Sequence, residues 1–118
     1  MEPDDAVAAL SALAHPGRLA IFRLLVKAGS DGLPAGRIAE ATGSLPNTLS
    51  ANLNILTAAG LTGSRREGRS IIYSAIFPAL SDLVAFLMRD CCEGHCAVCD
   101  KAIALFAKCT GRPAHSVD

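Results

Sequence analysis

A mainly α-helical domain carrying one β-hairpin is what this sequence predicts, on three observations. Apolar residues recur at helical spacing through residues 6–60. Glycine and proline cut these stripes where helices start and stop. One period-2 segment, Ser70-Ile71-Ile72-Tyr73-Ser74-Ala75, then follows a turn at Glu67-Gly68. With 118 residues, 51% of them hydrophobic, the chain suits a single domain over 1–118 and is too apolar for disorder. Aromatics are 4% and there is no Trp, so the core must be built from Leu, Ile, Val and Ala.

Each element has its own signal. Residues 6–14 are rich in Ala and Leu, strong helix formers, and Asp4 or Asp5 is placed to cap them. Pro16 opens a second helix at its first turn; Leu19, Phe22, Leu25 and Val26 form its apolar stripe and Gly29 ends it. Ser30-Asp31-Gly32 reads as a turn. A third helix covers about 35–41, with Ile38 and Ala39 inward and Gly43 as its stop. Pro46 starts a fourth, with Leu49, Leu53 and Leu56 buried and Gly60 at its end. Two short helices across so tight a glycine-containing turn form a helix-turn-helix signature. Strands at 62–66 and 69–75 flank Glu67-Gly68, where the glycine supplies a positive φ. On the second strand Ile71, Tyr73 and Ala75 alternate with Ser70, Ile72 and Ser74. A fifth helix follows Phe77-Pro78, with Leu80, Leu83, Val84 and Leu87 on one face and Cys91 continuing it. Gly94 should loosen or end it, and a last short helix is expected over about 98–109.

Four helices, a hairpin and a further helix make a winged helix-turn-helix, with residues 15–75 as the DNA-reading core. Helices 1 and 5 carry apolar stripes beyond what one small core needs, and their expected use is a homodimer seam. Residues 76–110 then hold the dimer helix and a cysteine-rich sensing segment.

The fourth helix presents Asn47, Ser50 and Asn54 outward on one face, flanked by Thr48 and Asn52. Such short polar side chains approach a major groove closely, and Asn pairs bidentately with adenine. Arg65, Arg66 and Arg69 cluster at the hairpin tip, suited to phosphate contact or the minor groove. Eleven bases balance eleven acids over the whole chain, which alone argues against nucleic acid. The charge is unevenly spread, however. Residues 1–14 hold three acids and no base, residues 15–75 seven bases and three acids, and residues 76–118 four bases and five acids. The reading core is therefore net +4, and double-stranded DNA is the expected partner.

Cys91-Cys92-Glu93-Gly94-His95-Cys96-Ala97-Val98-Cys99 gathers four thiols and an imidazole in nine residues. Core packing does not demand such clustering. Isolated Cys109 reads as packing or an incidental thiol. Thiolate-rich sites select soft ions. Zinc takes four ligands, and Cys91 or Cys92 with His95, Cys96 and Cys99 supplies them. Trivalent arsenic or antimony takes three thiolates in a pyramid, which a vicinal pair and one further cysteine on a loop provide. Geometry alone leaves both open. The CxxC at 96–99 also permits thiol–disulfide chemistry, but no βαβ pattern surrounds it. Paired carboxylates, a phosphate loop and a Ser/His/Asp arrangement are absent, so no enzyme is expected. His15 reads as part of the second helix's start, not as a metal ligand. No apolar run reaches the ~18 residues of a membrane span. The acidic N-terminus lacks a signal-peptide n-region, and five cysteines fit a reducing cytoplasm better than a disulfide framework.

The chain resembles the ArsR type of arsenic- and metal-responsive winged-helix repressors. The marks are Ala12-Leu13-Ala14-His15-Pro16-Gly17-Arg18-Leu19, Leu49-Ser50-Ala51-Asn52-Leu53-Asn54-Ile55-Leu56, Ala59-Gly60-Leu61, Arg66-Glu67-Gly68-Arg69 and Tyr73. The resemblance covers about residues 6–99. It implies a dimer that represses an operon and leaves its operator when an ion binds. Family members often carry His or Gln where Ala51 and Asn52 stand here. The founding arsenic sensors place a Cys-x-Cys motif in the third helix, where this chain has Ile38-Ala39-Glu40-Ala41-Thr42 and no thiol. The C-terminal cluster instead resembles a subgroup that senses arsenite with a vicinal pair and a later cysteine. That likeness implies Cys91, Cys92 and Cys99 as ligands, with Cys96 as substitute or addition. It ranks arsenite, with antimonite beside it, above zinc or cadmium.

Overall fold

The computed structural model describes residues 1–89. The cysteine cluster, Cys109 and the expected last helix lie outside the described residues. The element order is α1 (Pro3–Leu13), α2 (Pro16–Ala28), a 3₁₀ turn (Gly29–Asp31), β1 (Leu33–Pro34), α3 (Ala35–Thr42), α4 (Pro46–Ala58), β2 (Thr62–Glu67), β3 (Ser70–Ala75) and α5 (Phe77–Leu87). The backbone forms two compact units, one ending at Leu83 and the next beginning at Val84, inside α5. The described end of the second unit continues the helix, with Met88 N–H donating to the Val84 carbonyl at 3.0 Å. There Arg89 lies 4.9 Å from the Phe86 ring centre, within cation–π range.

Helix α1 begins earlier than its composition suggests. Its N-cap is Glu2, and the Asp5 carboxylate accepts the Glu2 N–H at 3.2 Å. Asp5 thus serves from inside the first turn, because Pro3 extends the helix at no cost in lost hydrogen bonds. Ala6, Ala9 and Ala12 face the core, while Val7 and Leu10 face out. The small residues let α1 lie close to α2 and α4, which it touches. The chain bends by 102° between α1 and the helical segment that begins at Pro16. The Arg18 guanidinium fixes that corner, donating from Nε to the Ala12 carbonyl at 2.6 Å and from one Nη to Ser11 at 3.5 Å. It gives the Ala12 carbonyl a partner at the end of α1, while the Ser11 carbonyl also accepts the Ala14 N–H at 3.2 Å. His15 caps α2, its Nδ1 accepting from Gly17 N–H at 3.1 Å and Arg18 N–H at 3.3 Å. On α2 the buried residues are Ile21, Phe22 and Leu25. Leu19 faces out and Ile21 takes its place in the core, a shift of the apolar face set by what α2 packs against: α1, α3, α4 and β3.

The sheet holds one strand more than the sequence signals. Leu33-Pro34 is too short to show periodicity, yet it pairs antiparallel with β3, Leu33 opposite Tyr73 and Pro34 opposite Ile72, in the order β1-β3-β2. The hairpin turn is shifted by one residue. Glu67 pairs with Ser70, so the two-residue loop is Gly68-Arg69. Gly68 has φ 64° and Arg69 has no positive φ, the pattern of a type II′ turn with glycine first. Arg69 therefore belongs to the turn, not to a strand. The alternation on β3 is also inverted at its start: Ile72 is buried and Ile71 exposed. With hydrophobes at both positions, period 2 could not choose between faces. The core gathers Ile21, Leu25, Ile38, Leu56 and Leu61 at its most buried points. Among the described residues, no single helix is long and apolar enough to cross a membrane.

Candidate nucleic-acid interface

The candidate reading surface is carried by α3, the turn after it, α4 and the hairpin. α3 stops at Gly43, whose left-handed φ of 70° turns the chain, with its N–H bonded to the Ala39 carbonyl at 2.8 Å. The Thr42 hydroxyl returns to the Ile38 carbonyl at 2.8 Å and meets the Ser44 hydroxyl at 2.7 Å. Three residues later Pro46 starts α4, so the two helices are tightly joined.

α4 ends in a Schellman motif. Leu61 N–H bonds the Leu56 carbonyl at 3.0 Å, and Gly60 N–H bonds Thr57 at 2.9 Å, with Gly60 at φ 80°. Leu56 and Leu61, the pair such motifs bury, are both fully inaccessible. The Thr57 and Thr62 hydroxyls meet at 3.0 Å and link the helix end to β2. These bonds fix the rotation of α4. Leu49, Asn52, Leu53 and Leu56 turn inward, while Asn47, Thr48, Ser50, Ala51 and Asn54 are exposed. No large side chain stands in the Asn47–Ser50–Asn54 stripe.

Asn52 departs from the expected arrangement. It is only 6% exposed, so it does not flank the outward face. At i+3 from Leu49 and i−4 from Leu56 it shares the buried stripe. Its Nδ2 would lie 3.2 Å from a Cβ built on Gly17, so the missing side chain at Gly17 leaves it room beside the start of α2.

The three hairpin arginines also separate. Arg66 and Arg69 are exposed at the tip. Arg65 is also exposed, but its guanidinium is engaged within the chain: Nε to Glu67 Oε2 at 2.7 Å, one Nη to the Asp31 carbonyl at 2.8 Å, the other to Ser30 at 3.4 Å. Strand parity explains this, since Arg65 pairs with buried Ile72 and Arg66 with exposed Ile71. Sequence reasoning missed Arg37 on α3, which stands exposed with only a loose 3.9 Å pairing to Glu40 and adds positive charge to the helix pair. A lone charge on a short amphipathic helix gives no signal in sequence. Among the described residues no group of three or more His, Cys, Asp or Glu is placed to hold a metal ion.

A family model described as a helix-turn-helix domain matches residues 13–62, spanning the end of α1 through the start of β2. The HTH-type transcriptional regulator YgaV of Escherichia coli K12 is 34% identical over 89 residues, 75% of this chain and 88% of that protein. The chain belongs to the ArsR family of winged-helix transcriptional regulators. Two solved structures agree. An ArsR-like regulator from Rhodococcus sp. RHA1 has TM-score 0.65 and 25% identity, covering 89% of this chain and 92% of that one. The homodimeric winged helix-turn-helix DNA-binding domain of Mb0332 from Mycobacterium bovis, a possible ArsR-family regulator, has TM-score 0.61 and 32% identity, covering 72% and 77%. In this ArsR-family chain the matched helix-turn-helix segment contains the exposed Asn47–Ser50–Asn54 stripe, and the arginine wing follows directly.

Proposed function

We propose that this regulator is a dimeric repressor that leaves its operator when trivalent arsenic, or antimony, binds Cys91, Cys92 and Cys99. The observation that carries the DNA reading is the Asn47–Ser50–Asn54 stripe, exposed on a helix that starts at Pro46 and turns Leu49, Asn52, Leu53 and Leu56 into the core. The basic excess of residues 15–75 and the exposed Arg66 and Arg69 supply phosphate contacts. A second copy is supported by uncovered apolar side chains on both end helices: Val7 and Leu10 on α1, Phe77 and Leu87 on α5. Two copies place two reading helices on successive major grooves about one helical turn apart.

The inducer reading rests on donor chemistry. Four thiols and one imidazole within nine residues suit a soft ion, and a vicinal pair with a third cysteine suits a three-coordinate one. Release requires that the ion bind the DNA-free form more tightly than the DNA-bound form. A coupling of about 1–3 kcal/mol corresponds to roughly 5- to 150-fold weaker operator binding. Operator binding with and without arsenite, on the native chain and on Cys92→Ser, tests it. Arsenite is expected to release the native protein only. Equal release of both, or of neither, overturns the arsenic reading while leaving the DNA reading intact. Zinc is the second reading, favoured by His95 beside Cys96 and Cys99. Tetrahedral Cys/His binding of zinc in preference to arsenite would establish it.

A further inference from the structure

We propose that Arg65 is a positioning residue for DNA binding: it clamps the wing to the turn between α2 and β1 and leaves phosphate contact to its neighbours. This rests on the DNA reading above. Arg65 stands on the outer strand of the β1-β3-β2 sheet, yet its guanidinium reaches the Ser30 and Asp31 carbonyls, just before β1. One side chain thus links both edges of the sheet. Its third acceptor, the Glu67 carboxylate, is the last residue before the Gly68-Arg69 loop. The planar fork with five N–H donors serves three acceptors in fixed directions, which an ammonium cannot do.

The turn it grips is itself held in one shape. Gly29 and Gly32 both take positive φ, 75° and 70°. A Cβ on Gly32 would lie 2.4 Å from the Tyr73 carbonyl, so the turn is pressed against β3. Asp31 and Ser30 carbonyls therefore stand at fixed positions, and Arg65 transfers that rigidity to the hairpin. A two-residue hairpin extending beyond a three-stranded sheet has little else to fix its direction. Arg66 and Arg69 sit on or just beyond this clamp, so its geometry sets where their charges meet a duplex.

The test uses the full chain and a duplex enriched by it from a random-sequence pool. Arg65→Gln and Arg65→Lys are both expected to bind about three- to tenfold more weakly, because lysine restores charge without the fork. In an Arg66→Gln/Arg69→Gln background, Arg65→Gln should have almost no further effect, since the misdirected wing has no contacts left to lose. Hydrogen exchange without DNA should rise at 66–69 and at 30–32 in both Arg65 variants. Rescue by lysine, or a full additive loss in the double background, would show a plain phosphate contact and overturn the proposal. Unchanged exchange would overturn it as well. If the native chain enriches no duplex, the DNA reading fails and the positioning role with it, while the exchange arm still reports whether the clamp exists.

Discussion

Asn54 and Arg66 are both exposed polar residues of the reading surface, but they would act on DNA in different ways. Asn54 stands on the exposed stripe of α4, which on the proposed reading would face a groove, where an amide can read base edges. Asn54→Ala should weaken binding to an enriched duplex by about 1–3 kcal/mol and barely affect a scrambled one. Arg66→Gln should weaken both duplexes alike and lower the salt slope of binding by about one. Titrations at several salt concentrations separate the two, and an identical profile for both variants would count against this division. Asn52, buried on the same helix, should alter stability without altering base preference. Gly32→Ala tests a backbone requirement instead: with φ 70° and a carbonyl 2.4 Å from the new Cβ, the variant should lose at least about 2 kcal/mol in denaturant unfolding. A variant as stable as the parent would show that the turn yields easily.

At the scale of elements, the helix ends carry most of the specification. α2 is capped by a histidine through Nδ1, α1 is closed from outside by Arg18, and α4 ends in a Schellman motif. Each of these sets an angle between neighbours as well as a length. His15→Ala removes the acceptor for two N–H groups and should cost about 1 kcal/mol, read by the unfolding midpoint. His15→Asn, which keeps an acceptor at the cap, should recover most of it; equal loss in both would deny the cap its role. The hairpin differs from its sequence expectation. The turn moved by one residue because glycine at the first loop position serves a type II′ turn, which puts Glu67 in the strand and Arg69 in the loop. β1 escaped notice because two residues, one of them proline, have no periodicity to detect.

For the whole molecule, the exposed apolar side chains of the end helices are what a second copy would cover. Val7 is 64% exposed and Leu87 56% exposed. Leu10→Asp, on the face that Val7 also occupies, should shift the chain toward monomer and weaken DNA binding together, as measured by sedimentation and duplex titration. The thermal midpoint of the native chain should also rise with protein concentration, as it does for a folded oligomer. A monomeric native chain that still binds a duplex tightly would exclude the dimer. Zero net charge fits such a dimer. It sums an acidic first segment, a basic reading core and a slightly acidic C-terminal segment, so binding by a dimer would depend on where two modest basic surfaces are placed rather than on bulk attraction.

The sequence by itself determined the helix order, the helix-turn-helix, the hairpin and the outward stripe on α4. These follow from local rules: glycine and proline punctuation, and the leucine spacing that turns Asn47, Ser50 and Asn54 away from the core. The motifs around His15-Pro16, Leu49–Leu56 and Arg66–Arg69 carry the family resemblance. Only the tertiary structure decided which polar residues are free to act. Asn52 and Asn54 are the same amino acid on the same helix, and burial against α2 separates them. Arg65 and Arg66 are adjacent and both exposed, and the pleat of β2 brings only Arg65 to the backbone carbonyls of Ser30 and Asp31. Such choices depend on partners distant in sequence: Gly17 beside Asn52, and the turn at 30–31 beneath Arg65. Periodicity along one segment cannot report them.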